Sequence, residues 1–345
     1  MKKFIALLSV FLLVMAGCSQ GSSGSTEKES TAKSDPSKPL VVYLNDFDEM
    51  IGPLFEEKTG YKVELVSGNG AEIQSRIAAE KGNPNWDIVW MDGQAAFARW
   101  DKEGILLGDW KPENEKNLNE LGQSLLSKSS SYFPTGAHAS SVIVYNTNEI
   151  SKEKAPATWD DLAKPEFKNA VGMADPAVAA PAYPFVSWFF QDKGLEEGKK
   201  FFGNLFENGA KVYPKNPNVV EALLNGDIKV AALQESNAYT MKKNGEPIEI
   251  VWPKEGAPAS VRYAAISKSS QNTEAAKAFI EFLLEKKTQD EMITAGAEGY
   301  YSSSVSDVKG PSDRLENPNL LIAEPEWSAE NEAVIKEWFA DQSVK

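Results

Sequence analysis

Residues 40–93 read LVVYLNDFDEMIGPLFEEKTGYKVELVSGNGAEIQSRIAAEKGNPNWDIVWMDG, and this stretch decides the fold. Three short β-rich runs alternate in it with helical patterns. Leu40 to Leu44 is apolar at every position, as a strand buried in a parallel sheet must be. Met50, Ile51, Leu54 and Phe55 form the apolar face of a helix over 49–59, which Gly60 stops. Tyr61 to Val66 is a second strand. Ile73 and Ile77, four residues apart, mark a helix over 71–81, and Asp87 to Met91 is a third strand. A helix over 97–103 follows and ends at Gly104. Strand–helix alternation of this kind predicts an α/β protein with parallel sheet.

After the strong strand Val142 to Tyr145 the pattern restarts. A short helix over 158–163 precedes a strand over 170–174, and helices are predicted over 182–192 and 195–208. Val212 lies in a strand, 219–224 in a helix after Pro217, and 228–233 in a strand. The strand 261–266 leads into one long helix predicted from Thr273 to about Ala295, with Asn272 or Thr273 as cap and Glu274 in the first turn. Trp327, Val334, Ile335 and Trp338 mark a last amphipathic helix. Trp90, Trp188 and the Phe189–Phe190 pair are expected in the core. No internal repeat is present. At about 150 residues per domain the length suggests two domains.

Ahead of this body, Lys2 and Lys3 precede an apolar run from Phe4 to Ala16, and Gly17–Cys18 closes it. The run has the layout of an export signal. It is shorter than the roughly 20 residues a spanning helix needs. Ser19 to Pro39 is rich in Ser, Gly, Thr, Lys and Glu and cannot bury enough apolar surface to order itself, so it is expected to be a disordered tether. Cys18 is the single cysteine, and no disulfide or thiolate metal site follows from it. His138 is the single histidine, which excludes paired-His zinc motifs. Removing residues 1–17 takes two lysines away and moves the formal charge from −14 to −16. Nucleic acid is therefore not an expected partner, because phosphate backbones demand Lys/Arg clusters.

Several segments, in order, resemble the extracellular solute-binding lipoproteins of ABC importers. They are LFEEKTGYKVELVSGNGAEIQSRIAAEKGNPNWDIVW (54–90), ASSVIVYNTNEI (139–150), PATWDDLAKPEFKNAVGMADP (156–176), VVEALLNGDIKVAAL (219–233) and ISKSSQNTEAAKAFIEFLL (266–284). The branch resembled groups binders of ferric iron, aminoethylphosphonate and organic phosphates. The ending Met15–Ala16–Gly17–Cys18 resembles a lipobox, with Met15 where Leu is usual. The resemblance implies a two-lobed periplasmic-binding-protein-like fold of type II, with a ligand cleft between lobes and crossings near Gly136 to Tyr145 and Pro258 to Ile266. It implies lobe 1 over 40–138 plus 266–299, and lobe 2 over 139–265 plus 300–345. It further implies a monomer held to the outer face of the membrane through lipidated Cys18. Hinge closure around a small solute, followed by delivery to a permease and its ATP-binding subunits, would be the mechanism. No cofactor and no resident metal are implied.

Ligands of open α/β sheets bind beyond the carboxyl ends of strands, so the candidate residues are sought there. Ser67, Gly68 and Asn69 lie between a strand and a helix. Their amides could hold an anion, or the turn merely caps the helix. Asn45–Asp46 and Asp92–Gly93 follow two strands, as line a cleft or as ordinary turn residues. Asp175 to Tyr183 follows a strand of the second half and leads into a helix, with Tyr183 as a donor or Asp175 as a cap. Glu235, Asn237 and Tyr239 follow the strand 228–233. In ferric-binding relatives of this family paired tyrosines occur near there, whereas here Ala238 stands beside Tyr239. His138, with Ser140 and Ser141, sits at the first crossing and could donate to an anion.

The leading expectation is a small polar solute with a phosphonate or phosphate group, such as 2-aminoethylphosphonate, its amine held by Asp46, Asp92 and Glu235. Ferric iron is the alternative. A tethered hydrolase is a third reading, although no nucleophile elbow, P-loop or paired-His motif occurs. A surface adhesin is a fourth. The tether supports a direct test. Cys18→Ser is expected to release the protein from membranes and weaken uptake by lowering effective concentration, with ligand affinity unchanged. Fractionation, uptake and calorimetry check the three parts, and a loss of affinity would contradict the reading of residues 1–18.

Overall fold

The computed structural model describes residues 38–179 and 181–343. The signal, Cys18 and the tether up to its last two residues lie outside them, as does Ala180. In chain order the first half contains β1 (Leu40–Leu44), α1 (Ile51–Thr59), β2 (Val63–Ser67), α2 (Gly70–Ala79), β3 (Ile88–Asp92), α3 (Gln94–Lys102), α4 (Glu120–Ser124) and β4 (Tyr132–Ala139). The chain then builds β5 (Val142–Asn146), β6 (Val171–Ala174), α5 (Ala182–Lys193), α6 (Leu195–Glu207), β7 (Lys211–Tyr213), α7 (Asn216–Leu224), β8 (Val230–Leu233), α8 (Glu235–Lys243) and β9 (Ile248–Val251). It returns through β10 (Ala257–Ile266), α9 (Thr273–Leu283), α10 (Lys286–Met292), β11 (Ser302–Ser303), β12 (Leu320–Leu321) and α11 (Pro325–Ser343).

Two sheets result, ordered β11-β4-β10-β3-β1-β2, with β12 added beside β10, and β7-β6-β8-β5-β9. They share one plan. β2-β1-β3 and β7-β6-β8 are parallel trios. Each trio is extended by an antiparallel strand that the chain lays down just after crossing from the other half, β10 beside β3 and β5 beside β8. The halves are therefore interlocked at three places. The first crossing is 140–141, and the second is 252–256. The Ser140 N–H donates to the Pro258 carbonyl at 2.9 Å, which fastens the first crossing to the strand that follows the second. Residues 304–324 form a third connection, ending in α11, which packs against α3 of the first half and α5 of the second.

Several expectations change here. All of β10 pairs within the first sheet, so the second crossing precedes Pro258 and 257–265 does not belong to lobe 2. β11 likewise pairs with β4, which takes 302–303 out of lobe 2. β4 and β9 were not anticipated. β4 carries Pro134 and Gly136, poor strand residues, yet all eight positions are buried. A register shift beside Arg262 and Tyr263 accommodates it. Gly136 is required, since a Cβ there would meet Tyr301 Cδ2 at 2.5 Å. Gly256, at φ +114°, turns the second crossing where a Cβ would meet Asn319 Nδ2 at 2.6 Å.

The long helix predicted from Thr273 breaks at Leu284–Glu285 into α9 and α10. Side chains take up the freed carbonyls: Gln289 Nε2 donates to Leu283 O at 2.8 Å and Asn117 Nδ2 to Leu284 O at 3.1 Å. Asn272 does not cap α9; its amide reaches Pro39 O and Asp87 instead. Apolar clusters fill both faces of each sheet. Phe55, Trp90 and Phe279 meet edge-to-face in the first half, and Trp159, Phe185, Phe189 and Phe202 in the second. Trp188 packs only partly buried against the second group. Phe279→Ala is expected to cost about 3–5 kcal/mol of unfolding free energy in urea titration, because it empties the centre of the first core.

Candidate functional site

Between the halves lies a cavity of ≈ 250 Å³. The first half contributes Asp46, His138, Arg262, Ala297, Glu298, Tyr300 and Tyr301 to its wall, and the second contributes Gln234, Ser236 and Asn237. Sheet topology dictates the first set. Asp46 follows β1, Asp92 ends β3, and antiparallel β10 runs past them with Arg262 in register with Asp92. His138 on β4 faces Ser260 across the other edge of β10. Four strands thus place three charged side chains and a histidine together, although Asp46 and Arg262 are 216 residues apart in sequence.

Arg262 is 5% exposed in a strand that is otherwise apolar around it. Its Nη2 donates to Asp92 Oδ2 at 3.0 Å and also to Asp46 Oδ2. Its guanidinium carbon stands 4.8 Å from the Phe47 ring centre and 5.8 Å from that of Trp90, so cation–π attraction adds to the ion pairs. Nη1 takes no protein partner among the described residues. Asp92 also accepts from Asn45 Nδ2 at 3.1 Å, and His138 Nε2 lies 3.4 Å from the same carboxylate. Asp92 Oδ1, His138 Nε2, Arg262 Nε, Ser140 Oγ and Ser260 Oγ are buried in this corner without hydrogen-bond partners in the protein. Buried polar atoms are rarely left so, and a cluster of them points to a ligand-binding corner.

The charges divide by environment. Burial pushes the Asp92 carboxyl up, but Arg262, His138 and Asn45 outweigh it and hold it below the usual carboxylate range. Burial lowers His138, but Asp92 more than compensates, so the imidazole is raised towards its cationic form. Burial, with Asp92 nearby, pushes Asp46 up to about 7 despite Arg262. Glu298, whose Oε2 accepts from the Phe47 N–H at 2.8 Å, is also raised, chiefly by burial. From the second half α8 points its N-terminus at the cavity. No side chain caps it, so the amides of its first turn remain available as anion donors.

The structure sorts the sequence candidates. Asp46, His138 and Asn237 line the cavity, and Asn45 and Asp92 brace Arg262 from behind. Ser67, Gly68 and Asn69 lie outside the wall of this cavity. Asn69 Oδ1 accepts from Ala71 N and Glu72 N at 3.1 Å each, in a capping box, and Ser67 Oγ donates to Asp48. Gly93, at φ +116°, serves as the turn into α3. The Asp175 carboxylate accepts from Ala177 N at 2.8 Å, closing its own turn. The Tyr183 hydroxyl donates to Ser328 O at 2.6 Å and fixes α11. Ser141 is buried at the first crossing. Tyr239 packs its ring 4.3 Å from that of Tyr300 and lies behind the wall. Glu235 is fully buried and bonded to Arg314, so it cannot hold a ligand amine. Arg262, Glu298, Gln234, Ser236, Tyr300 and Tyr301 were missed. Arg262 alone carried a readable signal, a charge inside an apolar strand.

A two-sheet α/β protein with crossing strands and a polar cavity between its halves has the architecture of a solute-binding protein. The chain belongs to the family of bacterial extracellular solute-binding proteins, which it matches over residues 54–316. It is 26% identical to spermidine/putrescine-binding periplasmic protein 1 of Haemophilus influenzae, over 93% of this chain and 91% of that one. It is 26% identical to the major ferric iron-binding protein of Neisseria meningitidis serogroup B, covering 78% and 82%. Identity to the putative 2-aminoethylphosphonate-binding periplasmic protein of Salmonella paratyphi A is 25%, covering 83% and 80%. The fold matches that of AfuA from Actinobacillus pleuropneumoniae, solved with exogenous fructose-6-phosphate, at a TM-score of 0.77 and 21% identity over 89% of this chain and 99% of that one. These relatives are named as binding proteins.

The Asp46 carboxyl gives a pH signature. Unfolded, it loses its proton near 3.8, and folded near 7. Between those values the folded state holds the extra proton, so the stability this group confers is full below about pH 4 and is lost as pH rises through about 7. Asp46→Asn cannot titrate. Its urea midpoint relative to wild type is expected to rise between about pH 5 and about pH 8.

Proposed function

We propose that this protein captures a small zwitterion bearing a phosphonate or phosphate group and an amine, and delivers it to an ABC permease. The observation that carries this reading is the pairing of Arg262 and His138 with the uncapped N-terminus of α8 across one cavity. An oxyanion between them would meet the free Nη1 of Arg262, His138 and the amides around Ser236 and Asn237. Arginine suits such a group because its planar fork matches phosphate geometry. Glu298 and Asp46, raised by burial and therefore favoured by any added cation, would take the amine. In this reading Asp92 and Asn45 position Arg262 and do not touch the solute. Lipidated Cys18 and its tether would keep the monomer at the outer membrane surface.

Iron and polyamines, named for relatives, fit the donors less well. A ferric ion favours phenolate oxygens, but the Tyr300 hydroxyl donates to Asp313 at 2.7 Å and that of Tyr301 to Gln289 at 2.8 Å. Burial raises both hydroxyls above their ordinary value. A polyamine would meet the Arg262 guanidinium as a like charge. Calorimetry with 2-aminoethylphosphonate, an alkylphosphonate lacking the amine, spermidine and ferric citrate discriminates among these. The aminophosphonate is expected to bind tightest, and Arg262→Lys to weaken it roughly 10- to 100-fold. Heat from spermidine or ferric citrate, with none from either phosphonate, would overturn the proposal.

A further inference from the structure

Glu235 and Arg314 form a buried ion pair. Glu235 is 0% exposed and Arg314 is 8% exposed, and neither lines the ligand cavity. Arg314 Nε donates to Glu235 Oε2 at 2.7 Å and Nη2 to Oε1 at 2.9 Å, a two-pronged contact. Around this pair all three connections between the halves meet. Ala139 N, at the first crossing, donates to Glu235 Oε1 at 2.7 Å. Trp252, at the second, has its ring 5.7 Å from the Arg314 guanidinium. Arg314 itself belongs to the third connection, and its Nη1 reaches back to Ser302 Oγ at 3.0 Å. One turn along α8, the Tyr239 hydroxyl accepts from Leu315 N at 3.2 Å and from Trp252 Nε1 at 3.3 Å. One face of α8 is thereby tied twice to the third connection and once to the second.

We infer that the Glu235–Arg314 pair is the clasp of the hinge, and that it tunes solute affinity by setting the angle at which α8 presents its N-terminus. The inference rests on the solute-binding reading but not on the identity of the solute. Glu235 is the first residue of α8, directly before Ser236 and Asn237, whose side of the helix faces the cavity. A rotation of one half against the other turns about the three connections, so it must strain the clasp or carry α8 with it. Interior packing admits discrete arrangements and not continuous deformation. The planar guanidinium fork defines one such arrangement, and a lysine, with a point charge on a flexible stem, does not.

The test uses the full chain. Arg314→Lys keeps the charge and loses the fork. Glu235→Leu/Arg314→Met removes both charges together, which protects the fold, because an apolar replacement of a buried pair is often neutral for stability. Each variant is measured without solute by small-angle scattering and by the distance between spin labels placed one on each half. Each is also titrated with 2-aminoethylphosphonate. The clasp predicts a shifted or broadened distance distribution in both variants, and an affinity changed roughly 2- to 30-fold although no cavity residue is altered. Distances and affinity equal to wild type in both variants, whatever happens to their melting temperature, would overturn it. Should 2-aminoethylphosphonate give no heat even with wild type, the substrate reading fails and the distance measurements alone decide the clasp.

Discussion

A guanidinium buried in the middle of a β-sheet governs the arrangement of the rest. Arg262 is removed from water, and an isolated charge there would be costly by several kcal/mol. Asp92 and Asp46 offset that cost, the faces of Phe47 and Trp90 add cation–π attraction, and Asn45 and His138 complete the shell around Asp92. Those partners come from β1, β3 and β4, so the charge can be buried only when the strands are assembled in this order. The same corner holds buried donors and acceptors without partners in the protein. Stability of the sheet and readiness for a solute are two consequences of one buried charge.

Topology explains how such a site can also move. Each half receives one antiparallel strand from a chain that has just crossed over, so neither sheet is complete without a crossing. The crossings are short, the first is hydrogen-bonded to the strand that follows the second, and the third connection is fastened near them through Arg314. Motion between the halves is thereby confined to a few residues around a buried polar knot. The cavity draws Arg262 and His138 from the first half and a helix terminus from the second. Closing the halves brings the two sides together, which is the physical content of hinge closure in this fold.

Much of the fold was legible in the sequence because it rests on local periodicity. β1, β2 and β3, with α1 and α2 between them, follow from apolar runs and i, i+4 spacing, and the second half repeats the logic. β4 was not legible, because Pro134 and Gly136 read as turn residues. Their place in a buried strand is set by Tyr301 and by the register shift opposite Arg262, both long-range facts. The break between α9 and α10 was hidden for the same kind of reason. Its carbonyls are satisfied by Asn117 and Gln289, which no local pattern links to Leu283 and Leu284.

The candidate site was legible only in part. Strand ends pointed to Asp46, Asp92 and the start of α8, which the fold gathers around one corner, since parallel sheets present their carboxyl ends to a cleft. Composition also spoke for an extracytoplasmic binding protein through the run before Cys18 and the tether. Beyond that, type and position in sequence did not decide role. Asn69 and Glu235 looked alike as polar residues after strands, yet one caps a helix and the other holds a hinge. The difference lies in partners: Glu72 is three residues from Asn69, whereas Arg314 is 79 residues from Glu235. The amino-acid pattern determines which segments become strands and helices, because that depends on neighbours within a turn or two. Which polar side chains face a solute depends on which charges find one another across the fold, and only the tertiary structure decides that.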